Sequence, residues 1–341
     1  MRIVVTGGAG YIGSHTAIEL LRRGHDVSII DNFSNSSPLA LGRIATIAGQ
    51  PIACENMDLR DSSALTVVLN NKRADAVIHL AGLKAVGESC TNPLKYFDNN
   101  IVGTISLLNA MQAAGTRMLV FSSSATVYGQ PERNPISEVA PRHALSPYAR
   151  SKIVSEDLIG DICAHSVRFR AAILRYFNPV GAHPSGLIGE LAHGTPGNLM
   201  PYICQVAAGR RAELPVFGAD YPTRDGTGLR DYLHVVDLAR AHVDAVDYLV
   251  REDANLTVNL GSGRGFTVFE MIRAFERTNG TPIPFRVLPR RLGDVAEVFA
   301  DVSLSGRLLG WRAEQSLERM CEDAWRWQSM NPDGFDVETP P

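Results

Sequence analysis

Through the first 180 residues, short runs that are apolar on both faces alternate with longer stretches whose apolar positions recur every three to four residues. Segments 3–6, 27–30, 76–80, 118–122 and 171–174 carry apolar or β-branched residues on both faces, which predicts strands buried on both sides. Segment 52–57 is a weaker strand. Between them, 11–23, 62–71, 93–114 and 147–165 carry the period of amphipathic helices. Such alternation implies parallel pairing with crossovers, and therefore an α/β fold of Rossmann type, a doubly wound parallel sheet. From about residue 176 the texture changes. Residues 178–230 are dense in Gly, Pro and Asn, which marks a second lobe rather than a linker. Periodicity returns at 235–248 and 256–260, and the last ten residues read as a loose tail. The expected division is a first domain over 1–177, which parts of 235–262 rejoin, and a smaller α/β lobe over 178–335.

Composition narrows the function. The 341 residues are 45% hydrophobic and 20% charged, an ordinary globular balance, with a formal charge of −3. That charge lacks the basic excess of nucleic-acid or membrane-surface proteins, so neither partner is expected. No run approaches the roughly 20 apolar residues of a membrane span. A strand pattern begins at Arg2, leaving nothing to read as a cleaved signal. The five cysteines (54, 90, 163, 204, 321) are scattered, with no Cys-x-x-Cys pair and no histidines at zinc spacing. They read as reduced thiols in a cytoplasmic protein without a metal site.

The first strand runs into Thr6-Gly7-Gly8-Ala9-Gly10-Tyr11-Ile12-Gly13. Glycines at Gly7, Gly10 and Gly13, between a strand and a helix, suit a tight turn that lets the backbone approach a pyrophosphate. The helix start then offers amide donors to that anion. Asp31 ends the second strand, where a carboxylate accepts from ribose hydroxyls and repels a 2′-phosphate, favouring NAD over NADP. Asp58, after the third strand, is placed either to reach the adenine edge or to cap a helix.

Ser122, Ser123 and Ser124 close the 118–122 strand, at the edge where open α/β sheets bind ligands. Downstream, Tyr148 and Lys152 stand at i and i+4, on one helix face. The chain has only four lysines among its 33 basic residues, so this spacing is rare by chance. An ammonium near a phenol stabilises the phenolate, which makes Tyr148 a general base with Ser124 as a second hydrogen-bonding partner.

The glycine pattern, Ser124 and Tyr148-x-x-x-Lys152 in this order resemble the extended short-chain dehydrogenase/reductase group. Longer strings are similar to the UDP-glucose 4-epimerase family within it: residues 81–89 (AGLKAVGES), 121–129 (FSSSATVYG), 175–186 (RYFNPVGAHPSG), 198–201 (NLMP), 225–234 (DGTGLRDYLH) and 289–294 (PRRLGD). The resemblance spans nearly the whole chain and makes 1–177 the NAD-binding domain. It implies NAD held by Gly7, Gly10, Tyr11, Ile12, Gly13, Asp31, Asn32, Asn35, Ser36, Asp58, Leu59, Leu80, Ala81, Gly82, Lys84, Asn99, Ser122, Tyr148, Lys152 and Phe177. For the UDP-hexose it implies Lys84, Ser124, Tyr148, Asn178, Asn198, Leu199, Val216, Phe217, Arg230, Arg291, Asp294 and Val298. Arg230 and Arg291 would grip the diphosphate, and 214–217 would form the uracil strand.

The implied reaction inverts the C4 hydroxyl through a 4-keto sugar. Related 4,6-dehydratases carry an Asp-Glu pair after the Ser/Thr, where this chain has Ala125 and Thr126. A non-catalytic NAD-binding regulator should have lost Tyr148, Lys152 or the arginines. Val298 stands where some members of the family carry a large aromatic, which implies room for N-acetylated sugars. The family also implies a homodimer packed through helices 93–114 and 147–165, although apolar faces there suit a core equally well.

Overall fold

The computed structural model describes residues 1–191, 194, 196–291 and 293–335. The apolar runs form β1 (Arg2–Thr6), β2 (Asp26–Asp31), β3 (Ala53–Asn56), β4 (Ala76–His79), β5 (Met118–Ser122) and β6 (Arg170–Tyr176). Later strands are β7 (Asn178–Val180), β8 (Leu214–Phe217), β9 (Leu229–His234), β10 (Leu256–Leu260), β11 (Gly265–Thr267), β12 (Phe285–Leu288) and β13 (Glu297–Val298). One seven-stranded sheet runs β3-β2-β1-β4-β5-β6-β10, and every pairing in it is parallel. Strand order reverses between β1 and β4, which opens a crevice at their C-terminal ends.

Alternating residues of these strands serve two different cores, as the two-residue period requires. Ile3, Val5, Ile29, Ile78 and Val120 face one layer. Val4, Ile30, Val77, Leu119 and Phe121 face the other. The helices that cover them are α1 (Tyr11–Arg22), α2 (Leu39–Ala48), α3 (Ser62–Lys72), α4 (Val86–Thr91), α5 (Pro93–Tyr96), α6 (Gly103–Ala114) and α7 (Pro147–His165). The others are α8 (Leu199–Ala207), α9 (Val235–Glu252), α10 (Val268–Asn279), α11 (Ser303–Leu309) and α12 (Leu317–Met330). α9 packs on α1 and β10 extends the sheet beyond β6, so 235–260 returns to the first layer system.

Two segments differ from the pattern reading. The single helix expected over 93–114 is instead α5, a π-helical stretch Phe97–Val102, and α6. The wider turn changes which way Asn99 and Asn100 point relative to a regular helix. The tail is packed as far as Phe335: Asn331 is 3% and Phe335 4% exposed. Residues 336–341 lie outside the described residues.

In the second lobe β9 pairs with β7, β11 and β13, and β8 pairs with β12. A separate core there joins α8, α10 and α12 through Ile203, Met271, Phe275 and Met320. Among the described residues no helix is long and apolar enough to cross a membrane.

Candidate active site

The turn between β1 and α1 has no room for side chains. A Cβ on Gly13 would collide with the Gly7 carbonyl oxygen and lie 2.7 Å from Gly8 Cα. Gly7 has φ +68°, and a Cβ there would lie 2.6 Å from the Ala81 amide nitrogen. These contacts draw α1 against β1 and leave the first-turn amides of α1 aimed at the crevice, as at any helix start. The crevice continues into a cleft of about 1310 Å³, open to solvent. A dinucleotide fits this set: a bare backbone cradle, a helix N-terminus and an acidic residue one strand away.

That residue, Asp31, is 9% exposed and braces the turn. Its carboxylate accepts from the Ala9 amide at 3.0 Å, the Phe33 amide at 2.9 Å and the Ser36 hydroxyl at 2.9 Å. A carboxylate has about four acceptor positions, so room remains for one further donor. Asp58 is held by Arg60 at 2.7 Å and by Asn32 at 3.2 Å, and its pKa is lowered to about 2, chiefly by Arg60. The capping alternative belongs to Asp61, which accepts from the Ala64 amide at 3.0 Å and starts α3.

The cleft brings together the predicted Gly7, Gly10, Tyr11, Ile12, Gly13, Asp31, Asn32, Asn35, Ser36, Asp58, Leu59, Leu80, Ala81, Gly82, Lys84, Asn99, Tyr148 and Lys152. Of the residues predicted to hold the cofactor, two do not line it, and neither does Ser124 from the predicted catalytic group. Ser122 turns its hydroxyl to His242 at 2.7 Å. Phe177, 6% exposed, packs with Ala125, Val127 and Ile136 behind the site. The three serines thus diverge: Ser123 bonds Glu156, and only Ser124 meets Tyr148. Ser124 also accepts from Thr126, amide and hydroxyl, at 3.2 and 3.0 Å.

The electrostatics correct one expectation. The Tyr148 pKa is raised by burial, and only the Ser124 hydrogen bond opposes the rise. Lys152 donates to the Ser122 carbonyl at 2.7 Å and sits 4.9 Å from the Phe121 ring centre, so it does not pull the phenol down. Burial lowers Lys152 itself to about 8.

In the second lobe the predicted residues gather around β9. Arg291 bonds Asp294 at 3.0 Å and lies over the Phe217 ring at 4.5 Å, while Arg230 reaches Asp294 at 4.0 Å. Leu292, between them in the sequence motif, lies outside the described residues. Asn178 pairs along β7 with Tyr232, and Val298 pairs with Arg230. Leu199 opens α8 and packs on the second core. Asn198 and Lys84 both donate to Glu190 Oε1, at 2.9 and 2.8 Å. Val216 is a correction. Its side chain is 1% exposed in the core. The amides of Leu214 and Gly218 both bond the β12 side, so by alternation Val216 faces β12 and the Pro215 carbonyl and Phe217 amide face the other edge.

The cleft is also lined by Tyr176, Glu190, Leu191 and Phe335, which sequence reading missed. The first three lie at or beyond the change of texture near 176, where no periodicity marks a facing side. Phe335 lies in a stretch whose composition looks like solvent-facing chain.

The sheet, the glycine turn and the Ser124–Tyr148–Lys152 group define a dinucleotide-dependent enzyme of the extended short-chain dehydrogenase/reductase class. A family model described as GDP-mannose 4,6 dehydratase matches residues 4–324. The chain is 51% identical over 335 residues to the UDP-glucose 4-epimerase of Bacillus subtilis, covering 98% of this chain and 99% of that protein. A crystal structure of the Stenotrophomonas maltophila enzyme of that name, with bound NAD and formylated UDP-arabinopyranose, superposes with TM-score 0.96 at 53% identity, covering 97% of this chain and 99% of that one. The Bifidobacterium longum enzyme in complex with NAD+ and UDP gives TM-score 0.93 at 46% identity, over 98% and 100%. The chain belongs to the UDP-glucose 4-epimerase family.

Proposed function

We propose that the chain interconverts UDP-glucose and UDP-galactose by transient oxidation at C4 of the hexose. The observation that carries this reading is Tyr148, close enough to the Ser124 hydroxyl for it to oppose the burial that raises its pKa, and lining the cleft beneath the glycine turn. NAD, when bound, supplies the hydride acceptor and a positive charge beside the phenol. The α1 amides hold the pyrophosphate, and Asp31 takes a ribose hydroxyl. Tyr148 Oη removes the proton of the C4 hydroxyl and returns it after the keto sugar has turned over. Ser124 bonds the sugar oxygen. Arg230 and Arg291, pre-aligned on Asp294, keep the diphosphate tethered while the hexose rotates, as forked donors do. The uracil pairs with the free edge at Pro215 and Phe217.

Elimination of water, the reaction in the family model's description, needs an acid and a base beside Ser124. Ala125 offers neither, and Thr126 is bonded to Ser124. Incubation with UDP-galactose, followed by resolution of the sugars, is expected to give UDP-glucose with no net reduced cofactor. A 4-keto-6-deoxy product would overturn the assignment.

Val298 is part-buried against the cluster that holds Ala125, Phe177 and Ala300, and its side chain is smaller than the large aromatic that some members of the family carry there. UDP-N-acetylglucosamine is therefore expected to turn over, and Val298→Tyr to lower that activity about tenfold relative to UDP-glucose. Equal losses on both substrates would remove Val298 from the specificity pocket. The substrate lobe comprises 178–335 without the returning α9 and β10. Two copies pair through α5–α7, where Leu94 is 78% exposed and Val102 and Ile105 also face outward. Light scattering should give twice the chain mass, falling to one chain in Ile105→Asp. All five cysteines are unpaired, which suits a cytoplasmic enzyme.

A further inference from the structure

The segment after α12 is a built part of the molecule. Asn331 donates to the Trp327 carbonyl and the Gly186 carbonyl, both at 2.8 Å, and accepts from Arg43. Arg43 also donates to the Leu187 carbonyl at 3.0 Å. Gly334 has φ +77°, the left-handed region that favours glycine, and it packs close to the Leu191 side chain. The turn delivers Phe335 against the Trp327 ring, tilted 53° to it. Its ring centre is 4.9 Å from that of Trp327, and the Arg43 guanidinium lies 4.9 Å from Phe335 and 5.6 Å from Trp327. Phe335 lines the same cleft as the glycine turn, Asp31 and residues 189–191.

Its place within the cleft follows from its neighbours. Arg43 belongs to α2, which begins three residues after Ser36 and continues the Asp31 turn. Phe33, in that turn, packs against the same core as Phe335. The C-terminal aromatic therefore stands on the α2 side of the cleft, next to the Asp31 turn.

We infer that Phe335 is a cofactor-binding residue, and that the segment 331–335 walls the adenosine half of the dinucleotide site and slows release of NAD. This rests on the reading of the cleft as an NAD site. An enzyme that regenerates its cofactor in every cycle gains from such retention. The glycine turn and Phe335 come from opposite ends of the chain, so the two ends of the sequence close on one ligand.

The test uses the full chain, exchanging bound NAD against labelled NAD and measuring affinity for ADP-ribose, nicotinamide mononucleotide and UDP. In Phe335→Ala, NAD release should be about tenfold faster and ADP-ribose affinity about tenfold weaker, with mononucleotide and UDP affinities unchanged. Phe335→Leu, which keeps the apolar contact with Trp327, should retain the fold and lose part of the ADP-ribose affinity. Unaltered release and ADP-ribose affinity in both variants would overturn the inference. A wild-type chain that binds UDP but no NAD would overturn the cofactor reading instead.

Discussion

Tyr148→Phe should lower the interconversion rate by about a thousandfold while changing NAD content and UDP affinity less than about twofold. The substitution removes one oxygen from a ring that is 6% exposed, so the packing survives. Ser124 keeps its bonds from Thr126 and is not left unsatisfied. The loss is therefore confined to the proton transfer. A pH series separates this from a structural effect. Burial holds the phenol above its ordinary value, so the wild-type rate should climb with pH as the base form is populated. The residual rate of the variant should lack the rising limb. A variant retaining that limb at an undiminished rate would dismiss Tyr148 as the base.

Gly13→Ala is expected to abolish NAD retention and lower the melting temperature by about 5 °C. The added methyl meets main-chain atoms of Gly7 and Gly8, which no side-chain rotation can relieve. Either α1 lifts from β1 or the turn opens, and both displace the first-turn amides that face the cleft. Gly42→Ala, on α2 with open space around it, is the control and should leave both quantities unchanged. Cofactor content per chain and a thermal melt suffice. Full NAD occupancy in Gly13→Ala would contradict the close-approach argument.

The sheet was legible because its strands are buried on both faces: apolar runs such as Ile3-Val4-Val5 admit no solvent-facing residue, and the structure sends them to two separate cores. The cofactor cleft was largely legible for a related reason, since glycines that permit backbone contact and an acid ending the next strand are local signals. What stayed hidden depends on three dimensions. The π-helical turn at 97–102 differs from a regular helix by one residue per turn, which a 3.6-residue period cannot resolve. Val216 and Phe217 exchange roles according to which edge of β8 is paired, and the pairing is with a strand some 70 residues away. Lys152 lines the cleft as expected of its spacing from Tyr148, but its partner is a main-chain carbonyl that no side-chain pattern records.

The three serines at the end of β5 lead in three directions, to α9 through His242, to α7 through Glu156 and to the reacting group through Ser124. That strand end behaves as a tripod with two feet planted on residues outside the cleft. Loosening either foot tilts the third. Turnover should thus be sensitive to substitutions at His242 and Glu156, neither of which lines the cleft, and the defect should appear in rate before it appears in binding.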